Sequence, residues 1–84
     1  MDKWKKILEE VLRGVSDANI RFADLGGLLA RLGFEVRTRG SHHLFRKAGV
    51  VERINLQKDD DKAKPYQVRQ VREMILRRRL GGKP

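Results

Sequence analysis

Apolar residues recur at helical spacing in three stretches of the chain, and each stretch predicts an amphipathic helix. The first spans residues 2–13 and ends at Gly14, and the second follows a turn-rich break at 16–19 and ends at Gly33. The third begins at Pro65, because a missing N–H loses nothing in the first turn of a helix. The three apolar stripes are Trp4, Ile7, Leu8, Val11 and Leu12; Phe22, Leu25, Leu28, Leu29 and Leu32; and Val68, Val71, Met74, Ile75 and Leu80.

Between the second and third helices the apolar period changes to two, which is typical of β-strands. Alternation at 34–39, 42–47 and 50–56 predicts three strands joined by tight turns, and 57–64 reads as a polar loop. The predicted fold is α+β, with the order α-β-β-β-α preceded by an extra helix. A three-stranded antiparallel sheet covered on one face by helices is the simplest way to bury these stripes.

Two adjacent glycines, Gly26 and Gly27, interrupt the second predicted helix. Each weakens a helix by about 1 kcal/mol relative to alanine. They therefore indicate either the close approach of another backbone or a marginal helix that depends on tertiary support.

A chain of 84 residues has room for one modest core and no second catalytic lobe. We divide it into an N-terminal amphipathic helix with its linker at 1–19, a main domain at 20–80 and a flexible tail at 81–84. The chain has no run of apolar residues long enough to span a membrane and no signal-peptide pattern, so we expect a cytoplasmic protein that does not bind membranes.

Positive charge is the most informative feature of the composition. The net charge is +9, and residues 62–84 carry eight basic side chains against one acidic side chain. Such a balance predicts attraction to a phosphate backbone, an anionic lipid or an acidic protein. Because the chain has no cysteine and its two histidines are adjacent, we expect no structural metal and no cofactor.

Strand alternation assigns the side chains of the predicted sheet to two faces once one buried residue per strand is fixed. With Phe34, Phe45 and Ile54 in the core, Val36, His43 and Leu56 point toward the helices. Anchoring the second strand on Leu44 instead exchanges the two histidines; we prefer Phe45 because it buries more apolar surface. The opposite face then carries Arg37, Arg39, His42, Leu44, Arg46 and Arg53.

An exposed imidazole among guanidinium groups has the functional groups that RNA cleavage requires. A neutral His42 can take the proton of a 2′-hydroxyl, whose oxygen then attacks the adjacent phosphorus, while Arg37, Arg39, Arg46 or Arg53 stabilises the developing charge. The reaction requires no metal and spares DNA, which lacks the nucleophile. His43, a lysine or water are the alternatives for the acid that protonates the leaving oxygen.

Three segments resemble the HicA toxins of type II toxin–antitoxin systems. They are 21-RFADLGGLLARLGFEVRTRGSHHLF-45, 53-RINLQ-57 and 63-AKPYQVRQVREMIL-76, and the resemblance covers residues 20 to 76. Its most specific parts are Leu32-Gly33-Phe34, Gly40-Ser41-His42 and Lys64-Pro65-Tyr66.

The resemblance implies a fold similar to double-stranded RNA-binding domains, an endoribonuclease that cleaves mRNA without the ribosome, and neutralisation by a HicB-like antitoxin protein. The catalytic histidine of the family directly follows Gly-Ser, which corresponds to His42 here. Gly40, Ser41 and His43 are expected to support it, and Lys64 joins the arginines as an expected RNA-binding residue.

The chain departs from the family pattern at two places. Many relatives carry a Pro-His pair near the end of the third strand, where this chain has Leu56-Gln57-Lys58. The helix at 2–13 is also additional, and it is expected to mask the RNA face, to form a homodimer or to dock the antitoxin. Two other functions stay open: a non-catalytic RNA-binding module of the same fold, and a domain that binds an acidic protein.

Overall fold

The computed structural model describes residues 2–58 and 60–80, so the tail predicted at 81–84 lies outside the described residues. The helices are α1 (Lys3–Arg13), a short 3₁₀ helix (Asp17–Asn19), α2 (Phe22–Arg31) and α3 (Pro65–Arg78), and the strands are β1 (Glu35–Arg39), β2 (His42–Arg46) and β3 (Ile54–Gln57). A side-chain cap begins α1, because Asp2 Oδ1 accepts a hydrogen bond of 3.0 Å from the Trp4 N–H. The predicted α+β class is confirmed.

The three strands form one antiparallel sheet in the order β1-β2-β3. Val36 pairs with Phe45, and Phe45 pairs with Ile54, so these three side chains share one face. Phe45 and Ile54 are buried, whereas Val36 on the edge strand is 52% exposed. The helices therefore cover β2 and β3 and leave most of β1 uncovered.

The third strand is shorter than the alternation predicts. It begins at Ile54 rather than at residue 50, and a turn closed by the Val50 N–H and the Lys47 carbonyl, 3.1 Å apart, precedes it. Glu52 accepts hydrogen bonds from Arg77 Nη1 at 2.7 Å and from Arg78 Nε at 2.9 Å. The segment 50–53 is thus paired with the end of α3 and does not extend β3.

The apolar stripes meet in a single core. Ile7 and Val11 of α1 belong to the same buried cluster as the side chains of α2, the sheet and α3. The segments 1–19 and 20–80 therefore share one core, and α1 packs against α2 and α3. The remaining buried apolar residues are Ile20, Leu25, Leu28, Leu29, Phe34, Phe45, Ile54, Leu56, Ala63, Val68, Val71, Met74 and Ile75.

The two glycines of α2 lie where side chains approach the helix from different sides. A Cβ on Gly27 would overlap the Trp4 ring of α1, and a Cβ on Gly26 would lie 3.3 Å from Cζ of Phe45 in β2. The approach predicted from sequence thus comes from aromatic side chains rather than from a backbone. It lets α2 sit between α1 and the sheet.

A partly buried ion pair ties the N-terminal segment to α3. Arg72 Nη1 lies 2.9 Å from Asp17 Oδ1 and donates to the Val11 carbonyl at 3.1 Å. The side chains of Arg72 and Asp17 are only 18% and 15% exposed, so water screens the pair weakly. Three elements, α1, the 3₁₀ helix and α3, are joined at this point.

None of the helices within residues 2–58 and 60–80 combines the length and the apolar character that a membrane span requires.

Candidate nucleic-acid interface

The strand register confirms the side-chain placement that Phe45 as the buried anchor predicts. Phe45 is 4% exposed. By alternation, His42, Leu44 and Arg46 of the same strand carry their side chains on the opposite side of the sheet. We call that opposite side the sheet face. It comprises Glu35, Arg37, Arg39, His42, Leu44, Arg46, Asn55 and Gln57. Arg53, which the alternation predicts for this face, lies just before β3.

His42 lies at one end of the sheet face, directly after the β1–β2 turn. Gly40 supplies the positive φ of 58° that this two-residue connection needs, and Ser41 completes it. In the register, His42 lies opposite Arg39 of β1 on one side and opposite Gln57 of β3 on the other. The imidazole is therefore exposed but sits on a paired central strand, which fixes its backbone.

The imidazole lines a small cavity of about 130 Å³, which we call the His42 cavity. Two guanidinium groups of β1 lie in the same cavity, so an anion bound there meets cationic donors beside the imidazole of β2. Asn55 of β3 adds an amide that can donate or accept a hydrogen bond. The lining residues are Arg37, Arg39, His42, Leu44 and Asn55.

His43 lies on the helix-facing side of β2. Its ring meets Phe22 of α2 edge-on, with centroids 4.9 Å apart and an interplanar angle of 72°. Its Nδ1 is buried and has no hydrogen-bond partner among the described residues. Although the two histidines are adjacent in sequence, their side chains lie on opposite faces of the sheet, so the His43 imidazole does not lie beside that of His42.

The remaining predicted arginines lie at the other end of the sheet. Arg46 ends β2 and Arg53 precedes β3, and both line a cavity of about 580 Å³, which we call the large cavity. A third cavity of about 140 Å³, the middle cavity, lies between the two ends and is lined by Glu35, Val36, Arg37, Leu44 and Arg46. The large cavity is lined by Gly33, Glu35, Arg46, Lys47, Ala48, Val50, Val51 and Arg53.

The arginines of the sheet face differ from the other cations in their electrostatic surroundings. In the described part of the chain, none of Arg37, Arg39 and Arg46 lies within 4.0 Å of a carboxylate oxygen. Arg53, which lines the large cavity, has no such carboxylate among those residues either. Among the described residues, therefore, no ion pair neutralises their charges.

By contrast, the arginines at the end of α3 are paired. Hydrogen bonds from Arg78 and Arg77 lower the pKa of Glu52 from 4.5 to about 2. The excess of basic residues in 62–84 thus overstates the positive potential at the end of α3, because part of it serves this ion pair.

Lys64 is placed apart from the arginines of the sheet face. It precedes α3, and its backbone N–H donates to Gln67 Oε1 at 3.4 Å. Gln67 in turn donates to the Asn55 carbonyl at 3.4 Å, which holds the start of α3 against β3. Lys64 lines none of the three cavities described above.

Sequence reasoning missed Asn55, Lys47 and Glu35 as residues of these cavities. Asn55 has a detectable signal, since it lies two residues after Arg53 and therefore on the same face of an extended chain. Glu35 has the same signal, since it lies two residues before Arg37 in the predicted first strand. Lys47 has none, because it reaches the large cavity only through the turn after β2.

Searches of protein-family models, of curated proteins and of solved structures find no match to this chain. Across residues 2–58 and 60–80, no three side chains of the types that ligate metals lie close enough together to hold an ion.

Proposed function

We propose that the chain is an endoribonuclease whose reaction takes place in the His42 cavity. The observation that supports this most directly is the position of an exposed imidazole on a paired strand, opposite Arg39 and in one cavity with Arg37. A general base, two phosphate donors and space for a reacting group are thereby combined at one point. The cations carry no carboxylate partner among the described residues, so a phosphodiester displaces no internal ion pair.

In the proposed reaction the neutral imidazole of His42 takes the proton of a ribose 2′-hydroxyl. The 2′-oxygen forms a bond to the adjacent phosphorus, and the bond from phosphorus to the 5′-oxygen of the next nucleotide breaks. The products are a strand ending in a 2′,3′-cyclic phosphate and a strand beginning with a 5′-hydroxyl. Arg37 and Arg39 stabilise the charge that develops on the phosphoryl oxygens.

The leaving 5′-oxygen takes its proton from water in this mechanism. His43 lies against Phe22 on the other side of the sheet, and the residues that line the His42 cavity include no carboxylic acid and no second imidazole. The protonated His42 can afterwards return its proton while water opens the cyclic phosphate. Electrostatic stabilisation by the arginines therefore carries a large share of the rate enhancement.

We further propose that the chain is the toxin of a type II toxin–antitoxin system with mRNA as substrate. The resemblance of residues 20 to 76 to HicA toxins supports this, and so does the order of α2, three antiparallel strands and α3, the order of a double-stranded RNA-binding domain. A HicB-like antitoxin that covers the sheet face with acidic groups would neutralise the unpaired arginines. The additional helix α1 leaves this face uncovered, since the arginines on it are exposed with α1 in place.

The test of the reaction is His42→Ala, with His43→Gln as the matched histidine control. We expect His42→Ala to lower the RNA cleavage rate by about 10²–10⁴-fold, the usual contribution of a general base, with little change in thermal stability. His43→Gln should instead lower the thermal stability and keep cleavage per folded molecule near that of the parent. A substrate with deoxyribose at the cleaved position should be resistant. Cleavage by His42→Ala at the parent rate would refute the proposal.

The second candidate is a non-catalytic RNA-binding module, which the lack of a second acid–base group in the His42 cavity favours. The same experiment separates the two functions. A module binds RNA with a strong dependence on salt, yet neither the parent nor His42→Ala yields a cyclic phosphate terminus.

The toxin assignment has its own test. Expression of the parent chain should arrest growth, and co-expression of the protein encoded by the adjacent open reading frame should relieve the arrest and yield a stable complex. Growth arrest that His42→Ala retains in full would contradict the assignment.

A further inference from the structure

The large cavity lies at the end of the sheet opposite His42. Arg46 lies four residue steps after His42 along β2, which corresponds to about 13 Å at about 3.3 Å per residue. This distance exceeds the rise of about 3.4 Å per nucleotide along one strand of a duplex. A nucleotide that reacts at His42 therefore cannot also fill the large cavity.

The lining of the large cavity combines three kinds of chemistry. Arg46, Lys47 and Arg53 supply positive charge that suits a phosphate. The carboxylate of Glu35 can accept hydrogen bonds from hydroxyl groups, and it has no cation within 4.0 Å among the described residues. Val50 and Val51 add an apolar wall. Phosphate, ribose and base are the three parts of a ribonucleotide that these groups suit.

The Lys47 side chain lies over a glycine at the large cavity. Gly33 has a φ of 100°, and a Cβ built on it would overlap the Lys47 ammonium. The side chain thus lies directly over a residue whose conformation and lack of a side chain both favour glycine. The absence of a side chain at Gly33 therefore leaves room for the Lys47 ammonium at the wall of the large cavity.

The three cavities form one continuous groove along β1 and β2. The middle cavity shares Arg37 and Leu44 with the His42 cavity. It shares Glu35 and Arg46 with the large cavity. A single nucleic-acid strand can therefore lie along the three cavities from one end of the sheet to the other.

We propose that the large cavity binds one ribonucleotide of the same RNA strand that reacts at His42, at least one nucleotide away from the reacting one. The inference rests on the proposed ribonuclease function and adds a substrate class, a single strand long enough to reach both ends of the sheet face. It assigns phosphate contacts to Arg46, Lys47 and Arg53, and a ribose hydroxyl contact to Glu35.

An acidic peptide fits the large cavity less well than a nucleotide. The three cations suit a phosphate and a carboxylate alike, but only the nucleotide brings ribose hydroxyl groups that can donate hydrogen bonds to the Glu35 carboxylate. The valines have no apolar partner on a chain of acidic residues.

The test compares Arg53→Gln with Arg69→Gln, each in the His42→Ala background so that RNA stays intact. Arg69 is an exposed arginine of α3 that lines none of the three cavities, so its replacement removes the same charge outside the groove. Binding of a labelled dinucleotide and of an oligonucleotide of about eight residues is measured, the longer one within the range of about 4–16 nucleotides that single-strand-binding domains cover.

We expect the parent background to bind the longer RNA more tightly than the dinucleotide, and Arg53→Gln to reduce this advantage. Arg53→Gln should also lower the slope of log affinity against log salt by about 0.7, the value of one phosphate contact in a single strand. When the salt is raised from 50 to 200 mM, Arg53→Gln should therefore lose about threefold less RNA affinity than the parent background does. An equal length advantage in Arg53→Gln and Arg69→Gln would overturn the inference.

Glu35→Gln tests the ribose contact by comparing RNA with DNA of the same sequence. We expect the preference for RNA to fall, because an amide accepts a hydroxyl hydrogen bond more weakly than a carboxylate does. An unchanged preference would remove Glu35 from the assignment. If polyglutamate competes with RNA and Arg53→Gln weakens both ligands equally, the large cavity binds acidic protein segments and the inference fails.

The two proposals fail separately. Cleavage that persists in His42→Ala refutes the reaction but leaves the binding comparison valid. Cleavage that depends on His42, together with a length advantage insensitive to Arg53, refutes only the role of the large cavity.

Discussion

Arginine has different roles on the two sides of this molecule. On the helix side Arg72 pairs with Asp17, and Arg77 and Arg78 pair with Glu52. On the sheet face Arg37 and Arg39 flank an exposed imidazole, with no carboxylate within 4.0 Å among residues 2–58 and 60–80. The sequence alone does not distinguish the paired arginines from those of the sheet face.

The difference shows how one residue type serves both stability and recognition. A guanidinium group that is partly buried and bonded to a carboxylate holds elements together, and its loss leaves the partner charge unpaired. An exposed guanidinium without a partner contributes little to folding but can neutralise a phosphate and release its counterion. Substitutions on the two sides should therefore separate stability from binding.

The largest effect is expected for Arg72→Ala. We expect a loss of about 2–3 kcal/mol in the free energy of unfolding, between the values for exposed and fully buried ion pairs. The loss arises because Asp17 and the Val11 carbonyl both lose their donor. Urea denaturation measures it, with Arg39→Ala as the control expected to change stability by no more than about 0.5 kcal/mol. Equal losses in the two variants would contradict the division.

The next largest effect concerns the packing of α1 on the helix side. Gly27→Ala should destabilise the protein by about 1 kcal/mol, because the overlap with Trp4 outweighs the better helix propensity of alanine. In a Trp4→Ala background the same substitution should instead stabilise by up to about 1 kcal/mol. Thermal unfolding of the parent, the two single variants and the double variant measures this change of sign. A loss of stability of the same size in both backgrounds would contradict the contact between Trp4 and Gly27.

A smaller effect is expected for charge removal on the sheet face. Arg39→Gln should lower the slope of log RNA affinity against log salt by about 0.7, because one phosphate contact is lost. Arg77→Gln removes an equal charge from a group already paired with Glu52, and we expect little change in the slope. Fluorescence anisotropy at a series of salt concentrations measures both variants. A larger change for Arg77→Gln than for Arg39→Gln would reverse the assigned roles.

The smallest effect concerns the acid side of the stability profile. The hydrogen bonds from Arg78 and Arg77 hold the pKa of Glu52 at about 2 instead of 4.5. A lowered pKa in the folded state stabilises the protein above the ordinary pKa, and the stabilisation disappears as the pH falls through the folded-state pKa.

Glu52→Gln should therefore lower the melting temperature by a small, constant amount above about pH 4.5, and the difference from the parent should shrink as the pH approaches 2. Thermal melts between pH 2 and pH 7 measure this. A difference that grows on acidification would contradict the assigned pairing.

The sequence predicts the two faces of the sheet because strand alternation is a local property. Once Phe45 is chosen as the buried anchor, the outward position of His42 follows from parity alone. The choice of Phe45 over Leu44 is decided in the structure by Gly26 of α2, which leaves room for the Phe45 ring. That contact joins distant parts of the chain, so the sequence offered only a preference based on size.

The start of β3 and the large cavity depend on contacts that local patterns do not contain. Val50 and Val51 continue an apolar strand pattern, yet Glu52 is held by α3 and the strand begins at Ile54. The large cavity forms where the turn after β2 meets the start of β1, and strand alternation does not predict that these two segments enclose a cavity. Pairing between remote residues, rather than propensity, decides both features.

The contact between α1 and α2 has a practical consequence for spectroscopy. Trp4 is the only indole in the chain, and its ring lies against the backbone of Gly27. Its emission therefore reports whether the first helix is docked, whatever happens at the hairpin. Time-resolved emission beside amide exchange in the strands would reveal whether this helix detaches before the rest of the molecule melts.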